Sequence, residues 1–158
     1  MTDHLNNRPS KTYFPVDQQI RLRNKTVDII KSKLLPDEKI IRIILIGSSV
    51  SHTFGQYEPP GFRGSLYSDF DFIVFTEDDY KISDWFIREP DGKPFSDNEL
   101  NLAYRNKNVV DNQYDVETFF MRRNTMDSPE IQDLAEKAGI PLKKDTTVRY
   151  LTVYGAKN

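Results

Sequence analysis

Residues 69–75 read Asp-Phe-Asp-Phe-Ile-Val-Phe, and no other stretch of the chain limits its fold so tightly. A run this rich in aromatic and β-branched residues is a strand. Successive side chains on a strand take opposite faces, so Phe70, Phe72 and Val74 point into the core. Asp69 and Asp71 share the other face, roughly 6–7 Å apart. Charges on an exposed edge strand are a common device against aggregation, but this run is too apolar for a comfortable edge. Two anions side by side on a sheet cost free energy unless a cation or strong donors compensate them. Magnesium prefers carboxylate oxygens and keeps phosphate oxygens as co-ligands, which makes it the natural compensator for such a pair.

A second strand is equally legible. Lys39 to Ile46 (KIIRIILI) is nearly all β-branched or leucine, as expected of a central strand covered on both faces. Gly47-Ser48-Ser49 follows at once, and Val50 to Phe54 is expected to open a short helix. Upstream, Ile20, Val27, Ile30 and Leu34 recur at helical spacing and predict a helix over 16–34, broken by Pro36-Asp37. Pro59, Pro60, Gly61 and Gly64 make 55–68 a loop. Beyond residue 76 the chain reads as irregular to Pro94, with a turn at Pro90-Asp91-Gly92 and with Trp85 and Phe86 as core plugs. Ser96-x-x-Glu99 has the form of a capping box and predicts a helix to about Asn106. Tyr114 to Met121 is the third strand, with Asp115 and Glu117 on one face. Ser128-Pro129 opens a helix stopped by Gly139-Ile140-Pro141, and 147–154 alternates as a last strand.

The pattern predicts an α/β (α+β) chain with a small mixed β-sheet flanked by helices. The 158 residues suit one domain, with 1–12 as a flexible tail and 13–158 as the folded unit. A formal net charge of −2 excludes a global basic field, so any RNA contact has to be a local patch. Arg122-Arg123 and Lys143-Lys144 are the doublets available for one, although solvated charge is the simpler account of both. The absence of cysteine excludes disulfides and thiolate metal sites. The N-terminus is polar, unlike a signal peptide, and no apolar run spans a bilayer, so the expected setting is cytoplasmic and away from membrane.

Small residues directly after a buried strand let phosphate oxygens approach the free N–H groups of the following turn. A hydrophobic strand, Gly47-Ser48, a loop, Ser68-Asp69-Phe70-Asp71 and a later acidic strand together resemble the nucleotidyltransferase fold of the DNA polymerase β superfamily. The resemblance covers roughly residues 40–120. It implies a magnesium-dependent nucleotidyltransferase that moves a nucleoside monophosphate from a triphosphate to an acceptor hydroxyl and releases pyrophosphate. By the same resemblance Gly47, Ser48, Ser49 and Ser68 hold the nucleotide, while Asp69 and Asp71 coordinate two metal ions. Asp115 completes the catalytic set; Glu117 is its rival on the same strand face, less favoured because Asp115 is shorter and has apolar neighbours.

One departure from the family is that about twenty residues separate Ser48 from Asp69, where about ten are more usual. Gln56 to Gly64 thus looks inserted, and its Arg63 is a candidate phosphate contact. The short stretch after the third acidic strand leaves little room for the helical domain of larger members. A homodimer, or a helical partner protein as in minimal nucleotidyltransferase antitoxins, would supply the missing wall. Two other readings stay open: an inactive nucleotide-binding or regulatory module of the same fold, and a metal-dependent nuclease.

Overall fold

The computed structural model describes residues 9–62, 64–88, 103–126, 128–137 and 148–155. The elements are β1 (Lys11–Tyr13), α1 (Val16–Leu34), β2 (Ile40–Ile46), α2 (Ser48–Ser51), β3 (Gly55–Tyr57), β4 (Phe70–Thr76), β5 (Ala103–Val110), β6 (Tyr114–Arg122), α3 (Ile131–Lys137) and β7 (Tyr150–Tyr154). Among the described residues, five strands form one mixed sheet in the order β5-β6-β4-β2-β7, and β1 pairs with β3 in a two-stranded sheet. Only the β4–β6 pair of the large sheet is parallel.

The alternation read from the sequence produces two cores, one on each face of the large sheet. Phe70, Phe72 and Val74 join Ile43, Leu45, Val116 and Phe120 beneath α1. Ile73 and Phe75, which continue the face that carries the acids, pack with Ile44, Ile46, Phe119 and Met121 beneath α3. Phe70 and Phe72 are fully buried, and each such side chain contributes about 1.5–3 kcal/mol. The buried stripe of α1 is Gln19, Leu22, Thr26, Ile30 and Leu34, one residue off the expected phase at its start. Gln19 is buried because its amide donates to the carbonyls of Phe14 and His52 and accepts the Phe54 N–H. It thereby fastens the start of α1 to the segment that leaves α2.

Several expectations need correction. Residues 103–106, expected as the end of a helix, open strand β5, and the capping-box residues 96–99 lie outside the described residues. The pairing of Ala103 through Asn106 with β6 outweighs any helical tendency there. The supposed tail is ordered by Lys11, where β1 meets β3, so part of the expected loop at 55–68 is strand as well. The short helix after Gly47 ends at Ser51, because His52 takes a left-handed conformation. The third helix begins at Ile131, and the last strand at Tyr150. The turn at 90–92, the stop at 139–141 and Lys143-Lys144 lie outside the described residues. Among the described residues, no helix is long and apolar enough to cross a membrane.

Candidate functional site

Register builds the site. Arg105 on β5 faces Glu117 on β6, Glu117 is in register with Asp71 on β4, and Asp71 is in register with Ile46 at the end of β2. Directly opposed residues of neighbouring strands project to the same side of a sheet. A single transverse row therefore carries a guanidinium, two carboxylates and the mouth of the Gly47 turn. Asp69, just ahead of β4, stands on that same face. One carboxylate oxygen each from Asp69, Asp71 and Glu117 lies within 4.8 Å of the others.

The structure puts Glu117, not Asp115, with the aspartate pair. Asp115 shares the face of Glu117, as the alternation requires, but its oxygens are taken by β5. Its Oδ1 accepts the Asn108 N–H at 2.9 Å, and its Oδ2 accepts Arg105 Nη2 at 3.1 Å and Nε at 3.3 Å. Asn108 has a φ of 55°, inside a register irregularity between Asn106 and Val110 that turns its N–H toward Asp115. The preference for Asp115 rested on a shorter side chain with apolar neighbours. Register instead brings Glu117 level with Asp71.

Arg105 is the residue that reading the sequence did not single out. Its Nη1 donates to Asp69 Oδ2 at 2.9 Å and stands 3.5 Å from Glu117 Oε2, while Nε and Nη2 hold Asp115. One guanidinium thus spans three carboxylates with only 15% of its side chain exposed. Burial by itself would lower its pKa, but the charges of Asp69, Asp115 and Glu117 outweigh that and raise it. Arg105 therefore stays charged. Asp71 is not among the ion-pair partners of Arg105. Burial first, then the charges of Asp69 and Glu117, push its carboxyl well above the usual carboxylate range.

The bend after β2 meets that carboxylate. Gly47 has φ +84° and ψ −155°, a region that essentially only glycine occupies. A Cβ at this position would stand 2.9 Å from Asp71 Oδ2. Gly47 itself is exposed and Ser48 half-buried, so the bend is open to solvent beside the acids. Ser49 is only 2% exposed, and among the described residues its Oγ has no hydrogen-bond partner. Ser68 is buried too. Its hydroxyl accepts the Gly55 N–H at 3.0 Å and Lys11 Nζ at 3.1 Å, which makes it a tie between β4, β3 and β1. Arg63 lies outside the described residues.

Other residues singled out in the sequence take structural places. Phe86 is buried and meets Phe120 edge-on, with Trp85 against it. Arg122 donates to the carbonyls of Asp78 and Tyr80, and Arg123 pairs with Glu77, so this doublet pins the loop after β4.

No family model matches the sequence, and no curated protein matches it. The chemistry available follows from the site's own atoms. Three carboxylates form an all-oxygen donor set, which suits magnesium, manganese or calcium and disfavours the softer metals. The donors fit a hard divalent cation, and the two acids that add to the effect of burial in raising the Asp71 pKa, Asp69 and Glu117, are the other two donors. A signal for Arg105 was present in the sequence. Asp111-Asn112 between Val109-Val110 and Tyr114 is a hairpin dipeptide, and both residues take positive φ, as a mirror-image hairpin turn requires. Folding 103–110 back on 114–122 at that turn brings Arg105 opposite Glu117.

Proposed function

We propose that the protein is a divalent-cation-dependent nucleotidyltransferase, moving a nucleoside monophosphate from a triphosphate to an acceptor hydroxyl with release of pyrophosphate. The observation that carries this reading is the 2.9 Å approach of the Gly47 position to Asp71 Oδ2, which joins a small-residue bend to the acidic row. A phosphate chain needs close backbone approach, and its metal ions need carboxylates a few ångströms away; both are found here together. Asp69, Asp71 and Glu117 would hold the cation, which when bound neutralises phosphate charge and lowers the pKa of the attacking hydroxyl. Gly47 leaves room for phosphate oxygens because it has no side chain. Ser48 offers a hydroxyl at the same bend. Asp115 keeps Arg105 oriented across the face.

A second reading is favoured by one specific observation. Arg105 already compensates Asp69, Asp115 and Glu117, three of the four carboxylates on this face, without a metal. In that case the chain is a nucleotide-binding module that has given up catalysis. Incubation with each α-labelled triphosphate, magnesium and a pool of RNA, protein and small-molecule acceptors separates the two. Pyrophosphate release and a labelled acceptor, both lost in Asp71→Asn, support the transferase. Triphosphate binding with no pyrophosphate from any acceptor pool supports the inactive module.

A further inference from the structure

Arg105 sits where a metal ion would have to act. Its guanidinium already holds one oxygen of Asp69 at 2.9 Å and stands 3.5 Å from one oxygen of Glu117, two of the three acids that a cation would need. A divalent ion held by those same acids would bring its positive charge against the guanidinium. The two cations compete for one set of acids. Asp115 stands apart from this contest, because it is not in the cluster of Asp69, Asp71 and Glu117. It is nevertheless bound to Arg105 through two nitrogens and fixed by the Asn108 N–H.

We propose that Arg105 is a positioning residue, a tethered cation that holds Asp69 and Glu117 in place until a divalent ion arrives and then withdraws onto Asp115. The inference rests on the reading that Asp69, Asp71 and Glu117 bind a divalent cation. Asp115 is then the anchor of the withdrawn guanidinium and touches no metal. The arrangement has a physical purpose. An acidic cluster without a cation repels itself, and Arg105 keeps the carboxylates close to the geometry that the ion needs. The guanidinium suits the role because its fork spans several oxygens in fixed geometry and it never loses its proton. Arg105 also retains contact with Asp115 throughout, so the exchange requires rotation of one side chain and leaves β5 in its register with β6.

The test is manganese binding to the full chain, followed by calorimetry and by the electron paramagnetic resonance signal of free ion. Arg105→Gln removes the competitor and is expected to bind manganese roughly tenfold tighter, while the metal-free protein melts lower. Asp115→Asn removes the anchor, leaves Arg105 on Asp69 and Glu117, and is expected to bind roughly threefold to tenfold weaker. The double variant decides the mechanism, since the Asp115→Asn effect disappears once Arg105 is gone. If Asp115→Asn weakens binding equally in both backgrounds, Asp115 is itself a ligand and the proposal is wrong. Weaker manganese binding by Arg105→Gln, or no change, also overturns it, while leaving the metal site intact. Should neither the natural chain nor Arg105→Gln bind manganese at millimolar concentration, the metal reading falls and takes this inference with it. Arg105→Lys, which keeps a charge but cannot span the oxygens, replaces Arg105→Gln in each comparison if the latter does not fold; tighter binding is again the supporting result.

Discussion

Substituting Gly47 with alanine tests the junction between the bend and the acids. Two costs add at this position. The φ of +84° with ψ of −155° is a conformation that an L side chain rarely adopts, and such strain costs about 1–3 kcal/mol. The new Cβ would also stand 2.9 Å from Asp71 Oδ2, closer than real Cβ contacts come. Asp71 Oδ2 is the end of a side chain on β4, so the contact is relieved by turning that carboxylate away from the bend. Adding about 1 kcal/mol for this overpacking gives a total of about 2–4 kcal/mol. For a chain of this size that lowers the melting temperature by roughly 5–15 °C.

Gly64 provides the control, because its φ is +78° but a Cβ there meets nothing within 4 Å. Gly64→Ala should show the backbone cost alone, and no change in manganese affinity. Urea unfolding of both variants, in the natural and Asp71→Ala backgrounds, measures the coupling directly. The Gly47→Ala cost should shrink by the overpacking part when Asp71 Oδ2 is absent, and manganese binding should weaken only for Gly47→Ala. Equal costs in both backgrounds, with manganese affinity untouched, would refute the claim that the bend abuts the carboxylate.

Further outcomes follow from the same geometry. The folded state raises the Asp71 pKa, so native Asp71 keeps its proton to a higher pH than the unfolded chain does. The stability from this group is fully present below the ordinary carboxylate range and is lost as pH rises through the raised value. Asp71→Asn should therefore gain stability relative to the natural chain as pH climbs from 4 to 8 without metal; urea titrations that show it losing ground would contradict this. Glu117→Gln should abolish manganese binding and transfer, whereas Asp115→Asn should reduce both without abolishing them; the reverse order, read by calorimetry and pyrophosphate release, restores Asp115 as the ligand. Gln19→Ala strands the buried Phe54 N–H and two carbonyls, and should cost about 2–3 kcal/mol in urea unfolding.

The two apolar strands and the face shared by Asp69 and Asp71 were legible in the sequence because alternation along a strand is a local property. Gly47 was legible as a bend for the same reason, since a glycine and serines end the KIIRIILI run. What stayed hidden depends on pairing between distant segments. The choice between Asp115 and Glu117 turns on which is level with Asp71, and that is fixed only when β4 and β6 lie side by side. Strand β5 was harder still. AYRNKNVV has no apolar alternation, because it ends the sheet order and its polar side chains have local partners: Arg105 holds Asp69, Asp115 and Glu117, and the buried Asn106 bonds the backbone of Trp85 and Ile87. An apparent capping box upstream then drew residues 103–106 into a helix. Ser68 shows a different limit, because a serine before an acidic strand reads alike whether its hydroxyl holds a ligand or ties down Gly55.

Anomalous scattering from manganese-soaked crystals would locate the ion and its ligands in one experiment. One or two peaks are expected at roughly 2–2.6 Å from oxygens of Asp69, Asp71 and Glu117, beside the Gly47 bend, with Arg105 drawn back onto Asp115. Crystals at saturating manganese with no peak on this face, and Arg105 still seated between Asp69 and Glu117, would contradict the metal site.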